Sequence, residues 1–192
     1  MKTDVTLAKD ELINLVCIAD VAFYVRPGDA LDQDAQKRSN SVYFPDRVVP
    51  MLPEVLSNDW CSLKPHEDRP CMAAHIWVGA EGNIIRHRFM RALMKSHARL
   101  TYEQLQAARD GDPDETTILL DHVVSPLYGA YEALKKARHS RGVLELDLPE
   151  RRIIIGDDGQ VERVETRERF DSHKLIEEFM LIANKKVAEL FT

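Results

Sequence analysis

The sequence predicts an α+β fold, with a mixed, largely antiparallel sheet and packed helices. Three observations carry this. Two segments read as β-hairpins: PCMAAHIWV (70–78) turning through Gly79–Asn83 into a long second arm, and residues 152–165 turning at Gly156–Gly159. The C-terminal stretch instead spaces Leu175, Phe179, Ile182, Val187 and Leu190 as one face of a helix. Strand and helix signals alternate without the regular β-α order of a parallel sheet, and no internal repeat is present.

Taken in order, residues 13–25 (INLVCIADVAFYV) are β-branched and aromatic, and predict a buried strand that ends near Asp20 and continues as an extended segment. Arg26-Pro27-Gly28-Asp29 is a turn, after which Asp29 caps a short helix over ALDQDAQKRS. Residues 41–53 hold three prolines, which remove backbone donors and fix φ, so this is a shaped, extended loop. Pro53 starts one helical turn over PEVLSN. The second arm of the first hairpin spans 84–99. Thr101 and Gln104 have capping-box spacing and open a helix through about Arg109. A longer helix follows from about Ile118 to His139, kinked or broken at Pro126, then a short apolar segment at 143–148.

The chain of 192 residues carries 26 Lys and Arg against 32 Asp and Glu, a net charge of −6. That size suits one domain or one large piece of a longer protein. The acidic balance excludes nucleic-acid binding by bulk positive charge, but not by a local basic groove. The longest near-apolar stretch, Leu15 to Val25, is interrupted by Asp20 and too short to cross a bilayer. The N-terminal residues have no signal-peptide pattern. Three cysteines at irregular spacing (Cys17, Cys61, Cys71) fit reduced thiols in a cytoplasmic protein. Cys71, His75 and their neighbours match no structural zinc template.

One charge feature stands out. Asn83 to Thr101 contains no acid, yet holds Arg86, Arg88, Arg91, Lys95 and Arg99 with His87 and His97. Such a strip can follow a phosphate backbone; it can equally be a solvated strand face balanced by acids elsewhere. Strand alternation would also send part of the set to the opposite face. Tyr43 lies in the proline-braced loop and Tyr102 directly follows the strip; each ring is able to stack on a base or to pack in the rim of a core. Glu177 and Glu178 point about 100° apart on a helix, so one can face a site while its neighbour is solvated, although two surface positions are the simpler expectation.

The segments IADVAFYVRPG (18–28), SVYFPDRVVPMLPEVLSN (41–58), CSL (61–63), SHARLTYEQ (96–104) and DSHKLIEEFMLIAN (171–184) occur in this order. Together they resemble the catalytic (RNB) domain of the ribonuclease II and ribonuclease R family of 3′→5′ exoribonucleases, with SVYFP nearer the ribonuclease R form. The resemblance covers residues 13–184, and residues 1–12 form a divergent N-terminal segment of a partial RNB-type domain. It implies binding of single-stranded RNA in a channel and its magnesium-dependent hydrolysis to nucleoside monophosphates. It also implies flanking cold-shock and S1 domains in a full-length parent. By the same resemblance, Tyr43 matches a tyrosine stacking near the RNA 3′ end and Tyr102 a second channel tyrosine. Glu177 matches a glutamate at the terminal nucleotides. Leu146 stands where the family often has a clamping phenylalanine, and Arg99 lies in the basic strip beside Tyr102.

Two departures accompany the resemblance. The family's metal-binding aspartates form a D-x-x-x-x-x-D-x-D-D cluster upstream of the IADV strand, and Asp4, Asp10 and Glu11 do not have that spacing. Asp20 matches the IAD motif, but one carboxylate cannot hold two metals, and fixing a turn is an equally good role for it. The family's C-terminal catalytic arginine is also expected to lie outside this sequence. The chain is therefore expected to be a segment of an exoribonuclease, inactive alone. The alternatives are a catalytically dead RNA-binding module and a non-functional remnant.

Overall fold

The computed structural model describes residues 2–8, 11–114, 120–143 and 150–192. The described chain divides into two compact units, one built from residues 1–19, 64–144 and 169–192, the other from 20–63 and 145–168.

The first unit is a four-stranded antiparallel sheet with helices on one face. Its strands are β1 (Lys2–Ala8), β2 (Glu11–Ala19), β5 (Asp68–Gly79) and β6 (Ile84–Lys95), in the order β1-β2-β5-β6. The register pairs Val16 with Ala74 and Asn14 with Ile76, while Ala74 faces Phe89. This puts Val16, Ala74, Ile76 and Val78 on one face, as a two-residue strand period requires. Three helices bury that face: α3 (Tyr102–Asp110), α4 (Ser125–Ser140) and α5 (Asp171–Ala188). Leu105 and Ala108 from α3, Tyr128, Tyr131 and Leu134 from α4, and Leu175, Phe179 and Ala183 from α5 complete the core. The β5–β6 turn lies tight on α4. At Gly82, φ is +76° and a Cβ would come within 2.1 Å of the Ala133 carbonyl oxygen, so only glycine fits.

Polar contacts fix the helices to one another. Thr101 and Gln104 form a reciprocal capping box at the start of α3. Arg109 ion-pairs with Asp171 at 2.5 Å and lies over the Tyr128 ring at 4.6 Å. The Arg109 hydrogen bond holds the Asp171 carboxyl below its ordinary range. Burial raises the Tyr128 and Tyr131 hydroxyls to about 12 each, so both stay protonated.

The second unit has little interior. It holds α1 (Val21–Tyr24), α2 (Ala30–Arg38), a two-residue pairing of β3 (Val42–Tyr43) with β4 (Val48–Val49), a π-helical turn over Val55–Trp60, and the hairpin β7 (Arg151–Ile155) with β8 (Val161–Thr166). Among the described residues, Leu56 is its one buried apolar side chain. Local bonds shape it. The Asp29 carboxylate accepts from the Asp32 and Arg26 amides, which lowers its pKa. Ser41 Oγ accepts from the Met51 amide at 2.9 Å, closing the proline-rich loop.

Several expectations need correction. The strand expected to end near Asp20 ends at Ala19, but α1 follows Asp20 in place of the expected extended segment. β-Branched and aromatic residues favour strands only while a ladder partner is available, and β5 pairs with β2 no further than Ala19. Residues 2–8, read as a divergent segment, are strand β1. The second hairpin arm ends at Lys95, short of residue 99. Pro126 begins α4, where its missing amide costs nothing, with a π-helical turn over Leu120–Val124 ahead of it. The start expected near Ile118 and most of the segment at 143–148 lie outside the described residues.

Candidate nucleic-acid interface

Tyr102 is the first residue of α3, and the first turn of α5 holds it from behind. Ser172 Oγ donates to the Tyr102 carbonyl at 2.8 Å, and the Ser172 amide donates to Gln106 Oε1 at 3.2 Å. The His173 ring stacks on the Tyr102 ring, with centroids 4.1 Å apart and planes 18° apart. Phe170 continues the pile at 5.7 Å from His173. The capping box sets the direction in which α3 starts, and hence where Tyr102 points. Tyr102 remains 36% exposed, so a partly open ring is backed by a packed stack.

Glu177 lies one helical turn beyond His173 on the same side of α5. It is exposed and ion-paired with Arg169. The two adjacent glutamates do have different surroundings: Glu178 is 8% exposed and paired with Arg138. Arg99 is exposed in the segment between β6 and α3. Tyr102 in the first turn of α3 and Glu177 in the second turn of α5 thus belong to one unit, with Arg99 three residues before Tyr102.

Tyr43 is in the other unit. It is 77% exposed on β3, opposite Val48, and supported by the Ser41–Met51 bond rather than by a core. Asp20 is 3% exposed and precedes α1, its carbonyl accepting from the Phe23 amide. Leu146 lies outside the described residues.

The basic strip divides between two sheet faces. Arg86 pairs with Trp77 and Arg88 with His75, whereas His87 pairs with Ile76 and Arg91 with Met72. Arg86 and Arg88 therefore project from the face opposite the helices, while His87 and Arg91 share the helix-covered side. The strip does not form one continuous cationic track. On that face the register sets Trp77 and His75 beside Arg86 and Arg88, a juxtaposition the sequence reading did not draw. A tryptophan two residues before a hairpin turn, facing an arginine across it, was the available signal.

A cavity of about 320 Å³ lies where α4 and α5 end, lined by Leu134, Arg138, Arg141, Glu178, Lys185 and Lys186 among others. Its cations sit at helix C-termini, where they complement the carbonyl ends of the helix dipoles. No group of three His, Cys, Asp or Glu side chains that could hold a metal occurs among the described residues. Those residues do not fit a two-metal hydrolytic centre, and no chemical step is derived through one. No described helix is long and apolar enough to cross a membrane.

The fold is thus a helix-covered antiparallel sheet with one partly open tyrosine at the start of α3, and a second exposed tyrosine on a proline-braced hairpin of the other unit. The RNB domain model matches residues 5–192, and the chain belongs to this family. It is 44% identical over 176 residues to ribonuclease R of Escherichia coli (strain K12), covering 90% of this chain and 22% of that protein. It is 40% identical over 180 residues to ribonuclease R of Thermotoga maritima, covering 92% of this chain and 25% of that protein. The fold superposes on Mycoplasma genitalium RNase R in complex with ribose-methylated single-stranded RNA, with a TM-score of 0.90 and 28% identity. That match covers 98% of this chain and 30% of the other. The chain thus spans about a quarter of the length of the curated relatives it matches.

Proposed function

We propose that this chain is part of a 3′→5′ exoribonuclease of the ribonuclease R type, and contributes the surface that grips single-stranded RNA. The observation that supports this most is the meeting of two family-like segments, SHARLTYEQ and DSHKLIEE, in the Tyr102–His173 stack. Tyr102 offers a π face for a base, Glu177 an acceptor for ribose hydroxyls one turn along α5, and Arg99 a cation for phosphate. Tyr43 provides a second stacking ring. Asp20 serves the backbone turn into α1. Leu146 would give a base an apolar contact without a π face. Three cysteines in the thiol form suit a reducing, cytoplasmic setting.

Hydrolysis by this family is metal-assisted, and magnesium would need carboxylates beyond those described. The spacing of Asp4, Asp10 and Glu11 supports the same reading. The chain by itself is therefore an RNA-binding piece without hydrolytic activity, and flanking cold-shock and S1 domains would feed RNA to it in a longer protein. The test is incubation of the purified chain with 3′-labelled and 5′-labelled single-stranded RNA, with and without magnesium. The expected outcome is retention of the strand without shortening. Stepwise 3′ shortening that EDTA abolishes would overturn the inactivity, and absence of any RNA binding would overturn the module.

A further inference from the structure

We propose that the sheet face turned away from the helices carries an accessory site for single-stranded RNA, formed by His75, Trp77, Arg86 and Arg88. This rests on the RNA-binding reading above and adds a second contact region to it.

The site is built by register. Trp77 and His75 alternate onto the same face of β5, and their rings stack with centroids 5.9 Å apart. Across the ladder, the Arg86 guanidinium sits over the Trp77 ring at 4.1 Å. Arg88 is directly opposite His75. Arg86 and Arg88 are exposed, and neither has an ion-pair partner among the described residues. The bulge between Trp77 and Val78 lies at this point of the hairpin, and bulges re-aim side chains at sheet edges.

Two guanidinium groups without a carboxylate partner call for an anion. One of them is already stacked on indole, which holds its fork open at the rim for bidentate phosphate contact. Aromatic and cationic groups interleaved on one surface fit a ligand that carries both bases and phosphates. A second copy of this chain is a poor occupant. Antiparallel pairing of two β6 edges centred between Arg86 and Arg88 would set Arg86 of one copy against Arg88 of the other, and like charges opposed across strands repel. An acidic peptide satisfies the cations but makes no use of the rings.

Position adds a length requirement. Tyr102 is on the helix side of the sheet, and the accessory site is on the other side. β6 is the edge strand between them. A strand held at Tyr102 reaches Arg86 and Arg88 only by passing over that edge, so short RNA engages Tyr102 alone and long RNA engages both.

The test measures binding of the full chain to oligoadenylates of about six and about thirty nucleotides, lengths that bracket common single-strand site sizes. The variants are Arg86→Ala/Arg88→Ala, Arg86→Lys/Arg88→Lys and Tyr102→Ala, each checked for unchanged circular dichroism. The double alanine variant should weaken the long strand several-fold, leave the short strand unchanged, and reduce the salt slope by about 1.4 for two lost phosphate contacts. The lysine pair should restore most of that slope. Quenching of Trp77, isolated in a Trp60→Phe background, should occur with the long strand only. An unchanged long-strand affinity and slope, with Tyr102→Ala still weakening both strands, would overturn the accessory site and leave the main reading standing. Failure of the unaltered chain to bind either strand would overturn both. Equal displacement of the long strand by polyglutamate at matched charge would show a general polyanion surface and overturn the RNA assignment.

Discussion

The two units present a tyrosine each, and they do so in opposite ways. Tyr102 stands on a sheet-and-helix core that includes Val16, Ile76, Tyr131, Leu175 and Phe179, and the first turn of α5 backs its ring. Tyr43 stands on a two-residue strand pair in a unit where Leu56 is the one buried apolar side chain described. Its loop is shaped by prolines and by single hydrogen bonds such as Ser41–Met51. Core packing fixes a ring at the cost of adaptability. A proline-stiffened loop lowers the entropy of the open chain and leaves the ring free to reorient.

The contrast breaks most visibly under truncation of the core. Phe179→Ala should cost about 3–5 kcal/mol, as large aromatic deletions in packed interiors do. Denaturant unfolding would show it, with loss of amide protection along β5. Leu56→Ala should instead raise exchange across residues 20–63 and leave β5 protected. Equal loss of protection in both units would show that their stabilities are not separate.

Next in size are the tyrosines. Tyr43→Ala and Tyr102→Ala should each weaken single-stranded RNA binding by about 1–3 kcal/mol, the usual value of one stacked base. Only Tyr102→Ala should also lower the melting temperature, because it alone removes a packed ring from the Phe170–His173 pile. A titration paired with a thermal melt separates the two. An unchanged melting temperature for Tyr102→Ala would remove the distinction drawn here.

The smallest effect expected concerns the Asp171–Arg109 ion pair. Its hydrogen bond depresses the Asp171 carboxyl below the ordinary value of 3.8. A group with a lowered folded pKa stabilises above its unfolded pKa, and that contribution fades as pH falls through the folded one. Asp171→Asn should therefore cost about 1 kcal/mol at neutral pH, near the upper end for a partly exposed pair. The difference from the unaltered chain should hold down to about pH 5 and shrink below about pH 4. Stability measured against pH for both proteins checks it, and a difference that persists unchanged at pH 2.5 would contradict the assignment.

The sequence made legible those features whose signal is local. The Thr101–Gln104 box, the Asp29 cap, both hairpins and the apolar face of α5 from Leu175 to Ile182 each rest on spacings of a few residues and are present, whereas Val187 and Leu190 are exposed. The expectation that failed, an extended segment after Asp20, also rested on local propensity, but there the ladder partner decides. β1 carried too weak an alternation to be seen without its partner β2. The site was legible in its residue types and not in its assembly. Ser172 and Tyr102 are 70 residues apart in sequence, and nothing in either segment announces that their first turns meet. Likewise Arg86 reads as one member of a basic run until the register places it across from Trp77. Alternation did foretell the splitting of the strip, and the structure adds which arginines share a face.

The core described above also orders the chain in time. Val16 and Ile76 are covered by α3 and α4, but Leu175, Phe179 and Ala183 arrive only with α5. As synthesis proceeds from the N-terminus, the sheet is complete well before its last helix exists. Until then a strip of its apolar face stays open to water, alongside β6, the outermost of the described strands. The nascent protein therefore passes through a sticky interval, one in which a chaperone or a neighbouring ribosome's product competes with α5 for the same surface. A synonymous codon change that slows translation between residues 140 and 170 would lengthen that interval without altering a single side chain.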